Sequence, residues 1–334
     1  MDFTHFIGID VSKNQLDIAV FQRKELLYHA QISNESKAIK KFMKELAKME
    51  GFSLPKTLFC MEFTGIYNNH FAYELVRKEA NVWLEPAAKI KKSIGLVRGK
   101  NDKLDAMRIG KYAAKNSDEA RLWKPRRKVI SKLHHFTTLR RRLLTVKSML
   151  STPLKEMDIF VEKSVSSKSR NLSQRTINSI EADIKKVEKE IDELIKNDSE
   201  LARQVEIITS VNGVGKQTAI GVIVTTNEFK DIQDPKKYAC YSGVAPFPFE
   251  SGMFKGKAKV SHLANKRMKT VLHMAALSAI NYNIDLHRYY QRKVAEGKNK
   301  MCVVNAIRNK LIHRIFACVL QNRKYENSYA TTLD

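Results

Sequence analysis

Cysteine is scarce and scattered in this 334-residue chain. Its four residues, Cys60, Cys240, Cys302 and Cys318, form no CxxC pair. That spacing excludes a disulfide framework and argues against a structural zinc site, leaving buried free thiols in a reducing compartment. No run of about 18 apolar residues occurs, so no membrane-spanning helix is expected. The stretch Met1–His5 lacks the basic region and apolar core of a secretory signal. Acidic residues are also in deficit, with 35 Asp and Glu against 60 Lys and Arg, a formal net charge of +25. Such an excess points to a polyanionic partner, and without a membrane signal the partner is nucleic acid. A hydrophobic content of 43% suits a globular chain with room for two or three domains.

In so basic a chain the position of the acids is informative. Phe6–Ser12, Leu16–Phe21 and Glu25–Ile32 read as three strands of a meander, the first stopping at Asp10. Residues 35–50 carry Ile39, Phe42, Met43 and Leu46 at helical spacing. Thr57–Glu62 is another apolar run ending in an acid. A helix over Tyr67–Lys78 and a strand over Asn81–Pro86 complete a β-β-β-α-β-α-β order, the ribonuclease H-like layout. In open α/β sheets, sites form at the carboxyl ends of strands, which is where Asp10 and Glu62 fall.

The segment after Pro86 is cationic and includes Lys100 and Lys103. Within it, residues 101–105 open a helix that Asn101 or Asp102 can cap. Asp102 and Asp105, three apart, share one side of its first turn. Four carboxylates brought together repel by roughly 1–4 kcal/mol per pair unless protonated, paired or bound to cations. Asp10, Glu62, Asp102 and Asp105 are therefore read as a site for one or two Mg2+ ions, able to stabilise both oxygens of a phosphodiester exchange. Taken singly, each has a plain alternative: a strand end, a surface acid or a helix cap.

A boundary is expected near Lys124–Arg127. A basic helix follows over 128–150, then a serine-rich loop over 164–173. A heptad seam of Ile177, Ile180, Ile184, Val187, Ile191 and Leu194 predicts a two-helix coiled-coil arm long enough to dimerise. Arg140 and Arg141 on the arm suit nucleic acid. Beyond 200, the run Ile207–Ala219 reads as a helix-hairpin-helix whose Gly213, Gly215 and Lys216 suit phosphate contact. Ser251 lies in an expected exposed loop after Pro246 and Pro248, and Lys255, Lys257, Lys259, Lys266 and Arg267 form a basic run around it. Ser242, also before a glycine, is its rival. Trp83 and Trp123 read as core or interface fillers.

Gly-Ile-Asp-Val-Ser-Lys around Asp10, Met-Glu-Phe-Thr-Gly-Ile-Tyr around Glu62, and Asn-Asp-Lys-Leu-Asp-Ala at 101–106 resemble the DEDD motif of the insertion-sequence "one-ten" transposases, which include the pilin-gene invertases. Residues 241–246, 250–252 and 261–265 resemble that family's second signature, so the resemblance spans essentially the whole chain. His262 and Ala264 depart from it where the family tends to have lysine and glycine. The resemblance implies an α/β plus α architecture in three parts: a RuvC-like catalytic domain at 1–124, a coiled-coil arm at 125–200, and a mainly helical transposase domain at 201–334. It further implies magnesium on the four acids and Ser251 as the nucleophile joined to a DNA phosphate. The expected partners are double-stranded donor and target DNA, a structured noncoding guide RNA, and further copies of the chain up to a tetramer, in the nucleoid-associated cytoplasm of a prokaryote. Two other readings use the same residues: a RuvC-like nuclease hydrolysing branched DNA with water, and a non-catalytic nucleic-acid scaffold.

Overall fold

A computed structural model describes residues 2–95, 99, 101–252 and 254–326, with all their side chains except those of Ile94 and Lys257. The chain divides into two compact units, Met1–Pro125 and Arg126–Asp334.

The first unit is built on a five-stranded sheet of β1 (His5–Val11), β2 (Gln15–Gln22), β3 (Glu25–Ser33), β4 (Thr57–Glu62) and β5 (Asn81–Glu85), in the order β3-β2-β1-β4-β5. β1 pairs antiparallel with β2 and parallel with β4, as the expected meander and crossovers require. Strand alternation gives the sheet two faces. Ile7, Ile9, Leu16, Ile18 and Val20 face α1 (Ser36–Leu46) and α2 (Asn69–Arg77), where Ile39, Phe42, Met43 and Leu46 are buried as their spacing predicts. Phe6, Ala19, Phe21, Cys60 and Trp83 pack on the other face with Ile90 of α3 (Ala87–Ile94) and with Ala106, Ile109, Tyr112 and Ala113 of α4 (Asp102–Lys115). Trp83 stacks 5.2 Å from Tyr112, and Trp123 closes the unit by donating from its backbone N–H to the Val82 carbonyl at 2.6 Å.

Two glycines set the position of α4. A methyl group on Gly8 of β1 would lie 2.1 Å from the Gly110 nitrogen and 2.2 Å from the Ala106 carbonyl oxygen. One on Gly110 would lie 2.5 Å from Phe21. Backbone meets backbone at this crossing, which no side chain would allow.

Among the described residues, the second unit is helical apart from one hairpin. α5 (Lys128–Phe160) and α6 (Lys163–Lys196) run antiparallel, joined by Arg140–Glu188 at 2.7 Å and Lys147–Glu181 at 2.7 Å. Ile177, Ile184, Val187 and Ile191 of the seam are buried. Two expectations fail here. The basic helix continues ten residues past 150, through Pro153, and the serine-rich stretch 164–173 is the start of α6 rather than a loop. Proline removes only one helix hydrogen bond, and the paired helices supply the contacts that make up for it. Arg170 ion-pairs with Asp158 and donates to the Leu154 carbonyl at 3.4 Å, while Ser166 is buried.

The chain then forms α7 (Ser199–Thr209), α8 (Lys216–Thr226), α9 (Pro235–Tyr241), a two-stranded sheet of β6 (Pro246–Ser251) and β7 (Phe254–Val260), and α10 (Lys266–Tyr282), α11 (Ile284–Ala295) and α12 (Lys300–Leu320). Their core, including Leu201, Ile208, Ile223, Leu272, Ile307 and Leu311, also takes in Ile130 and Leu133 of α5. The side chain of Glu228 has no exposed surface, and Arg127 and Lys230 ion-pair with it.

Candidate active site

The strand registers bring acids into one row. Asp10 lies opposite Asp17 on β2, and Glu62 lies opposite Glu85 on β5. The parallel β1–β4 ladder runs from His5↔Thr57 to Ile9↔Met61, so the next step sets Asp10 beside Glu62. Asp17, Asp10, Glu62 and Glu85 thus cross the sheet in order at the carboxyl ends of β1, β4 and β5. They share the α4 face, by alternation with Phe6, Ala19, Cys60 and Trp83.

The two ends of the row have side-chain partners and the middle does not. Asp17 is buried, and takes 2.9 Å and 3.1 Å hydrogen bonds from His29 Nε2 and Gln31 Nε2 of β3. Glu85 lies 3.6 Å from Lys89 Nζ and accepts from the Tyr112 hydroxyl at 3.4 Å. Asp10 and Glu62 have no such side-chain partner among the described residues. Burial, then the charges of Asp102, Asp105, Glu62 and Asp17, lift the Asp10 carboxyl from 3.8 to about 6.

Asn101, rather than Asp102, caps α4: its Oδ1 accepts from the Leu104 N–H at 2.7 Å. Asp102 is left exposed in the first turn, free of capping duty. Asp105 ion-pairs with Arg108 at 2.7 Å. The loops behind the strands are tied together by Asn34, whose Nδ2 donates to the carbonyls of Ser12 (2.9 Å) and Tyr67 (3.0 Å). Asn68 Nδ2 donates to the Glu62 carbonyl at 2.8 Å, and its Oδ1 accepts from the Thr64 N–H at 2.8 Å.

This donor set is all carboxylate oxygen, which suits a hard divalent cation, and its uncompensated charge at Asp10 suits one too. Among the described residues, no three His, Cys, Asp or Glu side chains converge closely enough to hold a metal ion.

In the second unit, Ser251 ends β6 and pairs with Phe254 across a tight turn, so it stands on a hairpin rather than in the expected loop. Gly252 takes φ +55°, a left-handed backbone conformation that favours glycine. Ser251 is exposed. Its rival Ser242 is fully buried, donating from Oγ to the Tyr238 carbonyl at 2.8 Å, and cannot reach a substrate as placed.

The expected nucleic-acid residues are dispersed. Lys103, Arg141, Lys255, Lys259 and Lys266 are exposed. Lys100 and the Lys257 side chain lie outside the described residues. Arg140 is taken up by Glu188 and Lys216 by Asp192. Burial, with the charges of Arg141 and Arg140, lowers the half-buried Arg267 below the usual arginine value, marking an electropositive cluster. Gly213, at φ +87°, packs on α10, where a methyl group would lie 2.5 Å from the Ala279 nitrogen. Its glycine therefore serves helix packing, whereas Gly215 opens α8 with nothing above it.

Sequence reading missed Asp17, Glu85, His29, Gln31 and Asn34. Asp17 carried a signal, an acid interrupting the apolar run Leu16–Phe21. The others became legible only through register.

Comparison with known proteins first gives the class. The description "Transposase", for the DEDD type of the IS110 group, matches residues 7–157, and "Transposase IS116/IS110/IS902 family" matches residues 205–291. Both describe DNA-processing enzymes of transposition, which bind DNA and, in the DEDD type, depend on divalent metal. The chain belongs to the IS110 transposase family. Pilin gene-inverting proteins resemble it along their whole length: that of Moraxella bovis is 24% identical over 332 residues, 96% of this chain and 97% of that protein. That of Moraxella lacunata is 24% identical over 330 residues, with the same coverage. The insertion element IS110 uncharacterized 43.6 kDa protein of Streptomyces coelicolor is 26% identical over 121 residues, 36% of this chain and 30% of that protein. No helix among the described residues is long and apolar enough to cross a membrane.

Proposed function

We propose that the chain is a site-specific DNA recombinase that cuts and rejoins strands through a covalent phosphoserine at Ser251, with magnesium held by Asp10, Glu62, Asp102 and Asp105. The observation that carries this reading is the acid row. Its ends are held by hydrogen bonds from His29, Gln31 and Tyr112 and by the Lys89 ion pair, while the family's motif acids at its centre have no such partner among the described residues and their charges help raise Asp10. A divalent ion bound there would offset charge on the phosphate oxygens as the phosphodiester exchanges partners. The first unit is then RuvC-like.

The protein's own contributions follow from the residues. Asp10 and Glu62 present oxygens from adjacent strand ends, and Asn34 and Asn68 fix the loops behind them. α4, seated by Gly8 and Gly110, carries Asp102 and Asp105. Ser251 Oγ forms a bond to phosphorus as one deoxyribose oxygen leaves and takes up a proton. Attack by the hydroxyl of the incoming strand reverses the step and frees the serine. The phosphodiester energy is kept in the phosphoserine, so no nucleotide is consumed. Arg141 and Arg267, Lys255 and Lys259, and the open amino end of α8 in a helix-hairpin-helix grip phosphates. Sequence choice is delegated to a structured noncoding guide RNA held by the basic stretch 89–103 and by α5. α5 and α6 form a coiled-coil arm through which two to four copies assemble in the cytoplasm, at the nucleoid.

A second reading keeps the acids and drops the serine: a RuvC-like nuclease using water. It is favoured by the acid row belonging wholly to the first unit. Incubating the protein with DNA and Mg2+, denaturing, and sequencing the DNA-linked peptide separates the two. The recombinase reading expects a phosphoserine at Ser251 that Ser251→Ala removes together with strand cleavage. Cleavage that persists in Ser251→Ala, with no protein-linked DNA, selects the nuclease.

A further inference from the structure

The hairpin that carries Ser251 has two chemically different faces. Residues paired across it share a face, and so do residues two apart. Ser251 pairs with Phe254, and Phe249 pairs with Gly256, which puts Phe249, Ser251, Phe254 and Gly256 together. Glu250 and Lys255 fall on the other face. The register shifts between Phe247 and Phe249, where β7 carries one residue more than β6, and beyond this bulge Lys259 pairs with Phe247.

Phe249 is 63% exposed and Phe254 61%, and the whole of β6 is exposed. Their rings meet edge to face with centroids 6.2 Å apart. Gly256 makes this possible: a methyl group there would lie 2.9 Å from Phe249 Cδ1 and 3.1 Å from Phe254 Cε1. The hairpin thus holds two phenyl rings in the open, one on each strand beside the exposed hydroxyl, with Lys255 behind them.

Resting on the reading of Ser251 as nucleophile, we propose that Phe249 and Phe254 form a stacking platform for an unpaired nucleobase next to the attacked phosphate. Nucleic acid is the occupant that both faces favour together. Lys255 on one side meets phosphate, and phenyl rings on the other meet a base face, a pairing that tolerates any sequence. A second protein copy would satisfy the rings but leave Lys255 facing its own strongly cationic surface. Stacking would hold the nucleotide out of the duplex and fix the phosphate beside Ser251 Oγ, as apolar side chains do when they wedge into a base step.

The test uses the full chain carrying Ser251→Ala, so that no covalent step intervenes, with a single-stranded oligonucleotide containing 2-aminopurine and a blunt duplex as probes. Phe249→Ala and Phe254→Ala should each weaken single-strand binding about tenfold and relieve the 2-aminopurine quenching. The dependence of affinity on salt should not change, because no charge is removed. Phe249→Trp should restore both signals. Gly256→Ala, which displaces Phe249 while keeping every aromatic, should also lose the quenching. Circular dichroism checks that the variants fold. Single-strand binding unchanged in Phe249→Ala, or an equal loss on the blunt duplex, overturns the proposal. So does a fall in the sedimenting mass of the free protein with DNA affinity intact, which would give the face to a second copy. Covalent trapping on the unsubstituted serine is scored separately. A failed nucleophile therefore shows as absent phosphoserine with quenching intact, and a failed platform as the reverse.

Discussion

Replacing Asp10 by Asn should stabilise the metal-free first unit at neutral pH, although it removes a residue the chemistry needs. The Asp10 carboxyl is lifted from 3.8 to about 6 by burial and by Asp102, Asp105, Glu62 and Asp17. A folded-state value above the unfolded one means that the native protein binds the proton more tightly. Ionising Asp10 therefore opposes folding: its stability contribution is intact below about pH 4 and lost as pH rises through about 6. A shift of this size corresponds to roughly 3 kcal/mol at full weight. Asp10 is only half-buried, and solvent screening reduces this to about 1–2 kcal/mol. The chain's two tryptophans, Trp83 and Trp123, both lie in the first unit, so urea unfolding followed by their fluorescence reports that unit. With EDTA present, Asp10→Asn should exceed the unsubstituted protein in stability by about 1–2 kcal/mol at pH 8, and the two should converge at pH 4. A difference that does not change between pH 4 and pH 8, or a variant less stable at pH 8, would refute an unbalanced negative charge at Asp10.

Adding millimolar Mg2+ or Mn2+ should raise the unfolding midpoint of the unsubstituted protein, and Asp10→Asn or Glu62→Gln should abolish the rise. Gly8→Ala should destabilise the first unit by about 3 kcal/mol or more and eliminate DNA cleavage, since the new methyl group would displace the helix bearing Asp102 and Asp105. Differential scanning calorimetry measures the first effect. Arg127→Ala should cost the second unit about 3 kcal/mol by leaving buried Glu228 short of a partner, read by chemical denaturation with circular dichroism. Burial acts to raise Glu228, but Arg127 and Lys230 outweigh it and hold it below the usual value, so this contribution should fade as pH drops through the carboxylate range. Arg267→Ala should weaken duplex binding and lower the slope of log affinity against log salt by about one, measured by fluorescence anisotropy.

Local pattern alone determined much of this protein. Period-two and period-3.6 apolar spacing marked the strands and α1, the run Thr57–Glu62 announced a strand ending in acid, and the pair Asn101 and Asp102 announced the start of α4 without deciding which of them caps it. These signals lie within a few residues of one another and need no tertiary context. The stretch 164–173 misled because its serines favour loops in isolation, while packing of α6 on α5 overrides that preference. Ser251 was legible as exposed but not as the end of a strand, because β6 exists only through its pairing with β7. The row Asp17–Asp10–Glu62–Glu85 was decided by register, which joins residues up to 75 positions apart and converts four scattered acids into neighbours. The tertiary structure also decided which acids are free. Lys89, His29, Gln31 and Tyr112 engage the ends of the row from positions no motif marks, and the Gly8–Gly110 contact sets where the α4 acids stand. Such assignments depend on distance between side chains, a quantity that sequence spacing does not contain.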